Sequence, residues 1–272
     1  MALGAAFLSR RNLHQGRADK RGAVRFALAA FVMFMIAQGL RSHTMGTLSW
    51  ADEIWPLIVG GIFMAGIAWA LYSAAEPLGR RVWPTMFVSS SRLLSRPKIQ
   101  WQDPILGKSV LVGILAGGIR MLLDGPLYWY VRLWTSGEPP RPMGYNFQMF
   151  EGQRQAASWI FDIALLFGFT MIMVVALIGI RMLVKNKFVA MGLTLAAWLM
   201  LTGVSTLWGA GFTLIGLAVS MFVLLRWGVL AFFMTTYMMS VTYMARAVDY
   251  SAWHAQGPVI AVGLIVVLAI YG

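Results

Sequence analysis

The chain contains no cysteine in 272 residues, which excludes disulfides, thiolate metal sites, iron–sulfur clusters and cysteine nucleophiles. Acidic side chains are also scarce, with ten Asp and Glu against 22 Lys and Arg. Histidine occurs only at His14, His43 and His254. No HxxxH or HExxH spacing arises, and none of the three falls inside an apolar run, so haem or pigment ligation within the membrane has no donor. His43 and His254, with Asp52, Glu53 and Asp249, are all expected outside, but their spacing resembles no metal motif, and no metal site is expected. No GxxxxGK[ST] loop is present to cradle a phosphate. The serines at Ser89, Ser90 and Ser91 lack a Ser/His/Asp constellation. No catalytic motif survives, so the chain is expected to be non-enzymatic and to need no cofactor beyond bound lipids.

Hydrophobic residues make up 59% and charged residues 12%. Typical soluble domains carry roughly 45–50% apolar and about 25% charged residues. Several stretches approach the ~20 apolar residues that cross a ~30 Å hydrocarbon layer. Many of the 12 Trp sit at segment ends, where an amphipathic ring suits the headgroup region. The fold expected is an all-α polytopic transmembrane helix bundle of about eight spans (six to eight), in a bacterial cytoplasmic membrane.

The basic segment 1–22 reads as cytoplasmic and 23–272 as the membrane domain. Spans are expected near 23–40, 54–75, 105–123, 156–180, 188–208, 212–225, 227–245 and from Pro258 onward. The last is short for a crossing. Asp124-Gly125-Pro126 is expected to end the third span, and Gly209-Ala210-Gly211 to turn the fifth into the sixth. The mixed apolar and polar run at about 82–95 suits an interfacial helix. The Pro-rich stretch at about 124–157 is the largest outside segment.

Basic residues decide the orientation. With the N-terminus inside, Arg10, Arg11, Arg17, Lys20, Arg21, Arg25, Arg80, Arg81, Arg92, Arg96, Lys98, Lys108, Arg181, Lys185, Lys187 and Arg226 all fall on the inner side. Only Arg41, Arg132, Arg141, Arg154 and Arg246 fall outside. The net charge of +12 is thereby explained by topology and anionic lipid, with Arg80, Arg81, Arg92, Arg96 and Lys98 facing the cytoplasmic headgroups. Nucleic acid is not an expected partner. The span count depends on Arg226 marking a turn. If 212–245 were one kinked helix, the count would fall and the C-terminal end would flip.

Arg120 and Asp162 are the clearest ionisable residues inside spans, where charge is costly and usually paired. Their depths match, which suggests an inter-helix clamp, with Asp124 as a local competitor one turn on. Gly113 and Gly117 form a GxxxG pair that permits close helix contact. A transport or proton path would need polar groups strung across several depths, and the sequence has no such chain.

The run from Leu71 through Glu76-Pro77-Leu78-Gly79-Arg80-Arg81-Val82-Trp83-Pro84, then Ser91-Arg92-Leu93-Leu94 and Asp103-Pro104-Ile105-Leu106-Gly107-Lys108, resembles the C-terminal membrane module of large acidobacterial-type serine/threonine protein kinases. Leu224-Leu225-Arg226-Trp227-Gly228 and Asp249-Tyr250-Ser251-Ala252-Trp253-His254 look like the same module's closing hairpin. The resemblance covers most of 20–272. It implies a helical membrane fold with a cytoplasmic N-terminus. Kinase activity is not implied, since no glycine-rich loop, HRD or DFG motif occurs.

Three functions follow as expectations. The first is a membrane subunit or scaffold that binds other membrane proteins, such as an accessory subunit of a bacterial respiratory or photosynthetic complex. The second is a sensor or signalling module, and the third, disfavoured, a small-molecule transporter.

Overall fold

The structure, a computed structural model, describes residues 19–41, 50–95, 102–136, 152–201, 207–244 and 256–272. In chain order the helices are α1 (Lys20–Arg41), α2 (Trp50–Val82), α3 (Val88–Ser95), α4 (Pro104–Ser136), α5 (Gly152–Leu183), α6 (Lys187–Leu201), α7 (Leu207–Trp227), α8 (Val229–Met244) and α9 (Gln256–Tyr271). No strand occurs among the described residues. Five helices hold segments long and apolar enough to cross a membrane, at Lys20–Leu40, Ile54–Val82, Pro104–Leu123, Trp159–Leu183 and Gly209–Trp227. Shorter apolar helices run at Lys187–Leu201, Val229–Thr242 and Val259–Tyr271. The chain is a membrane-embedded helical bundle.

Local chemistry sets four of the helix ends. The Asp19 carboxylate accepts a hydrogen bond from the Gly22 amide at 2.9 Å, capping α1. Asp103 does the same for Ile105 at 3.0 Å, and Pro104 follows at the first helical position, where its missing N–H costs nothing. Asn186 caps α6 through the Phe188 amide at 2.9 Å. The Arg181 guanidinium donates to the carbonyls of Val184 and Lys185 where α5 ends.

Three expected breaks do not occur. Helix α2 continues through Glu76-Pro77 to Val82, and α4 continues through Asp124-Gly125-Pro126 to Ser136. Helix α7 already contains Gly209 and Gly211. A proline removes one intrahelical bond and a glycine costs about 1 kcal/mol. In an apolar surrounding, where no water competes for the backbone, the rest of the ladder outweighs both. The surface helix is also shorter than the expected interval of 82–95. Only Val88–Ser95 is helical, and the turn before it buries Met86 and Phe87 completely. Of the outer stretch 124–157, the part from 137 to 151 lies outside the described residues.

Named contacts fix the helix directions. Phe34 and Phe31 of α1 pack over Gly60 and Gly61 of α2, while Gly22 lies against Tyr72, so α1 and α2 are antiparallel. Phe26 and Phe34 meet Phe167 and Phe161 of α5, so α5 also opposes α1. Ala116 of α4 clusters with Val223 of α7, and Arg120 reaches back to Ser220. These helices are therefore antiparallel. Gly113 and Gly117 of α4 instead meet Ala231–Met234 and then Thr235–Met238 of α8, so those two run parallel. It follows that α7 and α8 are an antiparallel hairpin and that 212–245 is not one kinked helix.

The hairpin turns at Gly228, whose φ is +92°. That conformation is strained for any residue with a Cβ. A Cβ there would also stand 2.5 Å from the Met86 carbonyl oxygen, which accepts a hydrogen bond from the Val229 amide at 2.9 Å. At the end of α9, Gly272 lies against Gly107 and Leu111 near the start of α4. The first and last described residues thus sit at the same end of the bundle, which requires an even number of traversals.

Candidate functional site: an intramembrane cavity and a basic end

The basic end of the bundle gathers the motif residues. Glu76 is only 3% exposed and pairs with Arg80 one turn on. Phe87 fills the space that a side chain at position 79 would need, which accounts for Gly79. Arg92 of α3 donates to both carboxylate oxygens of Asp103, at 3.2 and 3.0 Å, and Asp103 is itself the cap of α4. Arg25 of α1 donates to the Leu94 carbonyl at 2.9 Å. The Arg25–Leu94, Gly79–Phe87, Arg92–Asp103 and Gly228–Met86 contacts therefore form a clasp that joins α1, α2, α3, α4 and the α7–α8 turn. Tyr72 and Ser89 are also buried there, and the Tyr72 hydroxyl, the Ser89 hydroxyl and Glu76 Oε2 lack a hydrogen-bond partner among the described residues. Buried polar atoms of this kind are normally met by ordered water.

Of the basic residues expected to face lipid, Arg80 and Arg81 are exposed and Arg92 is partly buried. Arg96 and Lys98 lie outside the described residues.

Gly113 and Gly117 lie where α4 and α8 touch. A Cβ on Gly113 would collide with the Met234 side chain and stand 2.7 Å from the Ala231 carbonyl oxygen. One on Gly117 would stand 2.6 Å from Met238 Cβ and 2.8 Å from the Thr235 carbonyl oxygen. Gly118, next in sequence, faces open space.

Arg120 and Asp162 each reach a serine on another helix. Arg120 Nη1 donates to Ser220 Oγ of α7 at 2.8 Å. Asp162 Oδ2 accepts from Ser240 Oγ of α8 at 2.5 Å. Asp124 is on α4, but its side chain lies outside the described residues. Arg120 and Ser240 line one cavity of about 390 Å³, together with Leu166, Phe169, Met173, Trp198, Leu217, Phe232, Thr236 and Met239. Asp162 stands one hydrogen bond behind its wall. The sequence does not announce this cavity: Thr236 and Ser240 lie one turn apart on α8, but Thr235 and Thr242 on the same helix are hydroxyl residues too.

The cavity lies at membrane depth. Arg120, Phe169, Met173 and Leu217 all fall inside candidate spans. It is partly open, and Phe169 on its wall is 39% exposed, so it opens at the surface of the bundle. Small-molecule sites span about 300–1,000 Å³ and are mainly apolar with a few placed polar groups. No cluster of three metal-ligating side chains exists among the described residues.

Fold and site together define a polytopic helical membrane protein with a partly open cavity among its helices. Comparison with protein-family models, with curated proteins and with solved structures yields no match.

Proposed function

We propose that this chain is a non-enzymatic integral membrane subunit that associates with other membrane proteins. Its place is a bacterial cytoplasmic membrane, with about eight crossings and the basic end facing the cytoplasm. A respiratory or photosynthetic complex is a fitting home. The observation that carries the reading is the outward face of α6 and α9. Gly192 and Gly263 have nothing within 4 Å of where a Cβ would stand, on helices whose outward neighbours are Phe188, Leu193, Val262 and Val267. Small residues on an apolar face let a partner helix approach closely. Purification from the native host in mild detergent tests this. Stoichiometric co-purification of a defined membrane partner is expected, and a solitary monomer would contradict it.

A second reading is a sensor or signalling module, in line with the resemblance to the kinase-associated membrane module. The cavity favours it, because a sensor needs a place for its ligand. A transporter fits less well. Hydroxyls within the bundle mostly bond back to their own helices: Ser109, Thr194, Ser220, Thr235, Thr236 and Thr242 each donate to the carbonyl four residues earlier. Such bonds leave no relay of polar groups running from one end to the other among the described residues.

A further inference from the structure

The cavity walled by α4 to α8 is lined mainly by aliphatic and ring surface. Met173, Leu217 and Phe232, all buried, form its inner wall. Phe169 and Trp198 meet edge to face beside them, 4.3 Å between ring centres. The polar groups on the lining are already engaged by the protein. Thr236 donates to the Phe232 carbonyl at 3.0 Å, Ser240 to Asp162 at 2.5 Å and Arg120 to Ser220 at 2.8 Å. Arg120 and Asp162 each make a further interaction beyond these bonds. Taking a polar head out of water toward groups that already have partners is unfavourable. An apolar chain meets no such penalty, and apolar cavities take apolar guests in preference to water.

The depth of the mouth points the same way. Phe169 is the most exposed residue of the lining, at 39%. On the same face of α5, Leu165 is exposed and a Cβ on Gly168 would meet nothing within 4 Å. Phe169 lies ten residues from one end of the Trp159–Leu183 span and fourteen from the other, about 15 and 21 Å at ~1.5 Å per residue. Polar heads sit at the two faces of a ~30 Å hydrocarbon layer, so at this depth the bilayer presents chain and not head. A volume of about 390 Å³ is near the lower end of the range for small-molecule sites, which suits one chain rather than a whole lipid. Met173 and Met239, both on the lining, are unbranched and adapt to a flexible guest.

We propose that this cavity binds one uncharged hydrocarbon chain, the tail of a membrane lipid, which enters beside Phe169 and lies against Trp198, Met173 and Leu217. Recognition is by shape and apolar contact, and the head of the lipid stays outside. The inference is independent of the partner proteins proposed above, since a scaffold can hold such a chain as well as a sensor can.

Trp198 provides a readout, because bromine on an acyl chain quenches a tryptophan it touches. The full chain is held in micelles of a fluorinated surfactant, whose own chains mix poorly with hydrocarbon. It is titrated with dibrominated stearate, with its methyl ester and with dibrominated phosphatidylcholine, each counted as mole fraction in the micelle. Saturable quenching is expected with all three, with acid and ester within about threefold of each other, and dodecane, which has no head, should reverse it. Trp198→Phe should remove the saturable component. Leu217→Phe, which narrows the cavity, should weaken binding by about tenfold. Three results in the unaltered protein would overturn the proposal, and none needs a variant to fold: no saturation, a larger preference for acid or ester, or failure of dodecane to displace the reporter. Saturable quenching that survives Trp198→Phe, or an affinity unchanged by Leu217→Phe, would place the chain elsewhere and overturn it as well.

Discussion

At Gly228 one residue carries both a backbone requirement and a packing requirement. Its φ of +92° disfavours any side chain, and the Met86 carbonyl fills the space a Cβ would take. Gly228→Ala is expected to lower stability by about 1–3 kcal/mol, the range for local strain combined with overpacking. Thermal unfolding in detergent measures this, and a variant as stable as the parent would remove the clasp from the account. Arg92 and Asp103 offer a second test at this scale. Asp103 is 7% exposed, and its carboxylate serves both as helix cap and as ion-pair partner. Arg92→Ala leaves that carboxylate buried without its cation, which is destabilising. The double variant Arg92→Ala with Asp103→Asn should therefore be less destabilised than the sum of its two single changes, because asparagine still caps α4. Strict additivity in a double-mutant cycle would show that the pair contributes nothing.

At the scale of the element, the α4–α8 contact is set by which glycines face inward. Gly113→Leu and Gly117→Leu must push the helices apart, at an expected cost of about 1–3 kcal/mol each. Gly118→Leu, one position on and facing open space, should cost far less. Melting temperatures of the three variants decide the matter, and equal losses would mean that helix propensity rather than contact is being measured. The Gly113/Gly117 spacing was legible in the sequence, since small residues four apart lie on one face. Their partner helix was not, because α8 is distant in sequence; the structure shows that its own small pair, Ala231 and Thr235, also four apart, meets the two glycines. Helix ends divide in the same way. The Asp103-Pro104 start could be read directly from capping chemistry. Pro126 misled because a lost hydrogen bond and a ring that crowds the preceding turn usually end a helix. Inside a bundle, neighbouring groups can satisfy the freed carbonyl and the helix continues.

For the whole molecule, the apolar composition and the distribution of Lys and Arg were enough to place the chain in a membrane with a basic end. The cavity was not legible, because Arg120, Trp198 and Ser240 come from three helices that only tertiary packing brings together. The structure adds that both ends of the described chain share the basic end, through the contacts of Gly22 with Tyr72 and of Gly272 with Gly107. Lys20, Arg21, Arg80, Arg81, Lys108 and Arg226 cluster there, and the proposal that this end faces the cytoplasm rests on that cluster through the positive-inside rule. The account depends on this arrangement, and a chain without cysteine allows it to be tested cleanly. Single cysteines are introduced as Ser9→Cys, Arg81→Cys, Lys187→Cys, Ser136→Cys and Ser251→Cys, and intact cells are exposed to a membrane-impermeant maleimide. The account predicts labelling at positions 136 and 251 only, with positions 9, 81 and 187 reacting only after the membrane is opened. Labelling of position 9, 81 or 187 in intact cells would contradict it.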